Sequence, residues 1–125
     1  SQYRYDIIHI AIGLHYSGID EDAYSTAWAS LLNHIKHLQP TVKIVAALAT
    51  TCTKPNELLI NIDSNIPKTN AVLKSVCSGF GIKANDLYSI CIDKQLPKID
   101  TLHFAQKGYE VLAQAVADAV SRELT

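Results

Sequence analysis

Apolar and polar residues fall into blocks along this chain. From Asp6 to Gly13 (DIIHIAIG) apolar residues run almost unbroken, as in a strand covered on both faces, and Gly13 closes the run. A loop through Ser17, Gly18 and Asp20 follows. Ala23 to Leu38 then places Ala27, Leu31, Leu32, Ile35 and Leu38 at helical spacing, with Pro40 as the stop. Val42 to Leu48 (VKIVAAL) predicts a second strand, and Thr50 to Pro55 the loop that leaves it. Leu58 to Ile62 fits a short strand or an irregular lead-in. Lys68 to Phe80 repeats Ala71, Val72, Val76 and Phe80 at helical intervals, with Gly79 and Gly81 as terminators. Asp86 to Ile92 (DLYSICI) predicts a third strand, and a final helix runs from about Ala105 to Glu123, burying Val111, Leu112, Ala115, Ala119 and Val120.

Strands alternating with helices predict the α/β class, with a parallel sheet and right-handed crossovers. The loops after the strands then gather at one sheet edge, bringing together Leu14 to Gly18, Thr50 to Thr53 and Lys94 to His103. About three strands make a thin, partial sheet, and strands apolar on both faces need an edge that is paired or covered. The pattern therefore implies a missing partner.

With 125 residues, 48% of them hydrophobic, and a net charge of -1, the chain suits one globular domain spanning residues 1–125. Its balanced charge argues against nucleic acid as a partner. No apolar stretch reaches the roughly 18 residues that cross a bilayer, and the N-terminus lacks a secretory-signal pattern. The chain begins at Ser1 and contains no Met, so a processed or partial chain is expected. Cys52, Cys77 and Cys91 lack zinc or thioredoxin spacing and read as small buried hydrophobes; one disulfide plus a leftover thiol is the alternative. The compartment stays open, secretion included.

Chemistry concentrates near the C-terminus, in Asp100-Thr101-Leu102-His103-Phe104 followed by Gly108-Tyr109. A carboxylate three residues before an imidazole, on a loop entering a helix, can accept from one ring nitrogen and leave the other free as a base. The plainer alternative is an Asp capping the approach to the helix beside a surface His. His34 and His37 share a helix face but lack a third ligand nearby, so no metal is expected. His9 reads as a hydrogen-bonded strand residue and Trp28 as packing. No Gly-rich strand-to-helix turn suggests a nucleotide or phosphate site, and no cofactor is expected.

The order of these blocks resembles the SGNH/GDSL hydrolase superfamily, flavodoxin-like esterases and acyl hydrolases, over nearly the whole chain but only the later part of the family domain. Asp100 and His103 match its Asp-x-x-His block, and Gly108-Tyr109 with Leu112-Ala113 match the helix that follows. Tyr5 to Gly13 resembles the strand before the Gly-x-Asn-Asp block, Ile44 to Leu48 the next strand, and Asn70-Ala71-Val72-Leu73 an Asn-x-x-Leu helix start. The resemblance implies a three-layer flavodoxin-like parallel sheet, here partial. It also implies a serine esterase, acetylesterases included, acting on an ester such as an acetylated carbohydrate, with His103 as base and Asp100 as its orienter.

Two departures matter. Where the family places Asn and Asp in its oxyanion loop, this chain has His15 and Tyr16 after Gly13; Gly13 and His15 are the implied oxyanion donors. The Gly-Asp-Ser nucleophile block finds no counterpart and would precede residue 1. Ile62-Asp63-Ser64-Asn65 imitates it, but Ile62 lacks the freedom of Gly on so tight a turn, so Ser64 reads chiefly as a cap or turn. Two expectations follow. One is the Asp/His part of an ester hydrolase, completed by an N-terminal segment or companion chain carrying the Ser. The other is a non-catalytic module that pairs through its open sheet edge with itself or another protein.

Overall fold

A computed structural model describes residues 3–14, 20–52 and 57–125, with side chains from residue 62 onward in the last stretch. Three strands, β1 (Ile7–Ala11), β2 (Lys43–Ala47) and β3 (Lys83–Asn85), form one parallel sheet in the order β1-β2-β3. Ile7 pairs with Lys43 and Ala11 with Ala47, while Val45 pairs with Lys83 and Ala47 with Asn85. Helices α1 (Glu21–Leu38), α2 (Glu57–Phe80), α3 (Leu87–Asp93) and α4 (Gln106–Leu124) flank it.

Strand periodicity divides the sheet. Ile8, Ile10, Ile44, Ala46 and Leu48 join Tyr24, Trp28 and Leu32 of α1 and Leu73 and Cys77 of α2 in one core. On the opposite face Ala47 packs with Leu87 and Cys91 of α3, Phe104, and Leu112 of α4. The strand in the middle is buried at Ile44 to Ala47, whereas β1 stays only half-buried at Ile7 to Ile10. Among the described residues nothing pairs with the outer edge of β1, in keeping with the thin sheet expected from the sequence.

Two elements differ from their predicted places. The segment Asp86 to Ile92 belongs to α3, not to a strand. The Asp86 carboxylate accepts from the Ser89 backbone N–H at 2.9 Å and its hydroxyl at 2.7 Å, capping a helix whose Leu87 and Cys91 lie one turn apart in the core. The third strand is the shorter Lys83–Asn85. It follows Gly81, whose φ of 67° lets Gly81 N–H reach Ser78 O and Ile82 N–H reach Cys77 O, closing α2.

The second correction is that α2 begins at Glu57 and passes through Pro67, so Leu58 to Ile62 is neither strand nor lead-in. A proline inside a helix costs about 3 kcal/mol. Ile62, Ile66, Leu73 and Cys77 nevertheless keep helical spacing across it, and Ile66 is fully buried. Burying one such side chain returns about 1.5–3 kcal/mol, so the face taken together outweighs the proline.

Candidate active site

Phe104 and Lys98 form an antiparallel bridge, Ile99 N–H donates to His103 O at 3.1 Å, and Ala105 N–H donates to Pro97 O at 2.9 Å. These bonds close a tight loop just before α4. Gly108, in the first turn of α4, lies so near that a Cβ there would stand 2.9 Å from Pro97 O and 3.1 Å from Phe104 Cβ. The Gly of the Gly-Tyr pair is thus what lets the helix approach the loop.

Within the loop Asp100 Oδ1 accepts from the backbone N–H of Leu102 at 2.8 Å and of His103 at 2.7 Å. The same carboxylate meets His103 Nδ1, at 2.9 Å from Oδ2 and 3.1 Å from Oδ1. The His103 N–H, then the Leu102 N–H, then the ring hold the Asp100 carboxyl at about 2. It is therefore ionised and can only accept, so the ring nitrogen that meets it, Nδ1, is the donor. The pair sits on the surface, the His103 side chain 64% exposed and Asp100 51%.

Leu102 ties this loop to the strand ends. It packs on Ala49, Cys52 and Ile66, the same cluster that holds Leu14, the residue after Gly13. Gly13 is buried, 3.1 Å (as a notional Cβ) from Ala49 Cβ and 3.3 Å from Tyr24 Oη. Ala49 is fixed in turn by Asn70, whose amide accepts from Ala49 N–H at 2.8 Å and donates to Ala49 O at 3.1 Å. The ends of β1 and β2, the α2 helix and the Asp100–His103 loop thus converge on one rim, as the crossover rule requires. His15 and Tyr16 lie outside the described residues.

Ser64 falls within α2, on an exposed turn of helix, rather than at a cap, loop turn or strand-to-helix elbow. Asp63 beside it borders a cleft of about 430 Å³ with Thr51, Cys52, Tyr88, Cys91 and Leu96. Burial pushes both thiols up, that of Cys52 against the pull of Lys98 and that of Cys91 against bonds from Thr51 and the charge of Lys98. A protonated, buried thiol is a poor nucleophile. Among the described residues all three cysteines are free and buried, and no group of His, Cys, Asp and Glu is arranged to hold a metal. No helix there is long and apolar enough to cross a membrane.

His9 faces α4 from β1, with Nε2 3.3 Å from the Asn85 amide nitrogen, and burial lowers its pKa. The spacing of the sequence pointed to Asp100 and His103 but not to Lys98, whose ammonium contacts the loop. A lysine between Pro97 and Ile99 carries no pattern that marks it.

No family model matches the sequence, and no curated protein matches it either. Solved structures do share its fold. A GDSL-like lipase from Bacteroides thetaiotaomicron superposes with a TM-score of 0.76 at 16% identity, covering 94% of this chain and 62% of the lipase. A member of the lipolytic protein G-D-S-L family from Veillonella parvula gives 0.71 at 19% identity, over 93% of this chain and 63% of its own. An acetylxylan esterase from Geobacillus stearothermophilus gives 0.71 at 17%, over 92% and 59%. The chain spans about three fifths of each of these proteins, and has the α/β fold of that part of them.

Proposed function

We propose that this chain, built on the fold shared by those esterases, supplies the Asp100–His103 half of a Ser-His-Asp carboxylic ester hydrolase. The nucleophilic Ser comes from a segment outside residues 1–125, preceding them or carried on a companion chain, whose strand lies along the outer edge of β1. The observation that carries this reading is the 2.9 Å contact between Asp100 Oδ2 and His103 Nδ1 on a closed loop at the C-terminal rim of the sheet.

In that site the Ser hydroxyl attacks the ester carbonyl while His103 Nε2 takes its proton. The same nitrogen returns the proton to the departing alcohol, and the acyl group stays on Ser until water, activated by His103 in the same way, releases the acid. Asp100 holds the ring and stabilises the imidazolium. The backbone N–H of Gly13 and the side chain of His15 donate to the oxyanion. Loss of such a donor costs about 3 kcal/mol in the barrier. The small acyl esters of acetylated carbohydrates are the substrate class first to test.

Co-expression with a Gly-Asp-Ser-bearing segment is expected to give an esterase active on short-chain acyl esters and blocked by serine-directed reagents. His103→Ala in the same folded complex should abolish turnover; activity unchanged by that substitution would sink the proposal. A second reading rests on the half-buried apolar strand β1, which favours a non-catalytic module pairing through this edge. It expects a stable dimer of the isolated chain and no activity in any complex.

A further inference from the structure

The Asx turn at Asp100 shapes its own loop, yet something must fasten that loop to the sheet. The Lys98 backbone forms the bridge to Phe104, and its Nζ donates to the carbonyl of Thr51, just beyond β2, and to that of Thr101 at 3.3 Å. The ammonium also stands 4.6 Å from the centroid of the buried Phe104 ring. Most lysines extend into water. This one is half-buried, and its desolvation lowers its pKa even though Cys52, Cys91, Asp100 and Asp63 pull the other way. A cation held against two carbonyls and an aromatic face is committed to one geometry.

We propose that Lys98 is a positioning residue: its ammonium bridges Thr51 O and Thr101 O across Phe104 and so sets where the Asp100–His103 pair stands on the rim. It touches no reacting atom and acts through the loop. The inference rests on reading Asp100 and His103 as orienter and base.

The test uses the full chain labelled with nitrogen-15. Long-range proton–nitrogen spectra report the His103 tautomer, and hydrogen exchange reports the Leu102 and His103 amides that Asp100 holds. Lys98→Met keeps the apolar stem over Phe104 but removes the donors. It should convert His103 from the Nδ1–H form to a mixture of tautomers and speed exchange at those two amides by at least about tenfold, with protection in β2 and α4 unchanged. Lys98→Arg, which restores charge and donors, should recover the wild-type tautomer. Lys98→Leu, which also has no donor, serves for the same readouts should the Met variant fail to fold. A folded Met or Leu variant with the wild-type tautomer and exchange overturns the role of Lys98 while leaving the pair intact. A wild-type chain already showing mixed tautomers overturns the reading of the pair, and this inference with it.

Discussion

Asp100 acts on the backbone and on the ring with one carboxylate. Two amide donors shape the turn, and the imidazole completes the set. Because its pKa is lowered to about 2 in the fold from an ordinary value near 3.9, whatever order it contributes is fully present above that ordinary value and is lost as pH falls through about 2. Carbon-13 titration of the Asp100 carboxyl should give that low midpoint, with the Leu102 and His103 amides still protected at about pH 4. Asp100→Asn keeps an acceptor but removes the charge that fixes the tautomer. In the completed enzyme it should lower kcat on the order of 10³-fold with little change in KM, read by steady-state kinetics. His9 titrates in the opposite sense to a paired histidine. Burial lowers its pKa, so its neutral form belongs to the fold. Its stabilising contribution is whole above the unfolded value near 6.5 and disappears as pH falls through the lowered folded value. Thermal melts should therefore lose Tm below about pH 6.5, and His9→Gln should flatten that part of the profile.

Among the elements, α2 and α4 bring the rim together through single residues. Asn70 on α2 satisfies both polar groups of Ala49 in a buried setting. Asn70→Ala would leave a donor and an acceptor unpaired, at about 3 kcal/mol in chemical denaturation. Gly108→Ala sets two effects against each other. Alanine favours helix by up to about 1 kcal/mol, less in a first turn, whereas a Cβ 2.9 Å from the Pro97 carbonyl must push backbone aside, at about 1–3 kcal/mol. The variant should be the less stable, and should speed amide exchange at Leu102 and His103. The sequence made α1, β1, β2 and α4 legible because their apolar patterns are unmixed, and Asp20 and Pro40 bracket α1. It hid α3, because Ile90, Cys91 and Ile92 make a short apolar run of the kind a buried strand also shows, and only the Asp86–Ser89 cap marks the segment as helix. It hid the first turns of α2 because Pro67 looks like a boundary, and only the burial of Ile66 shows why the helix continues. Asp100 and His103 were legible because three residues suffice to join them. Lys98 was not, since its partner Thr51 lies 47 positions away in sequence.

For the molecule as a whole, the sheet is asymmetric. Its middle strand is buried, β3 is short, and β1 presents an apolar strand with an unpaired outer edge among the described residues. The solved structures that share its fold extend well beyond the part this chain covers. The most direct test of the proposed function is a crystal structure of the chain together with a Gly-Asp-Ser-bearing segment. The account predicts a parallel strand along Ile7–Ala11 ending in a Ser whose Oγ lies about 2.6–3.2 Å from His103 Nε2. A second copy of the same strand on that edge, with no Ser at His103, would contradict it.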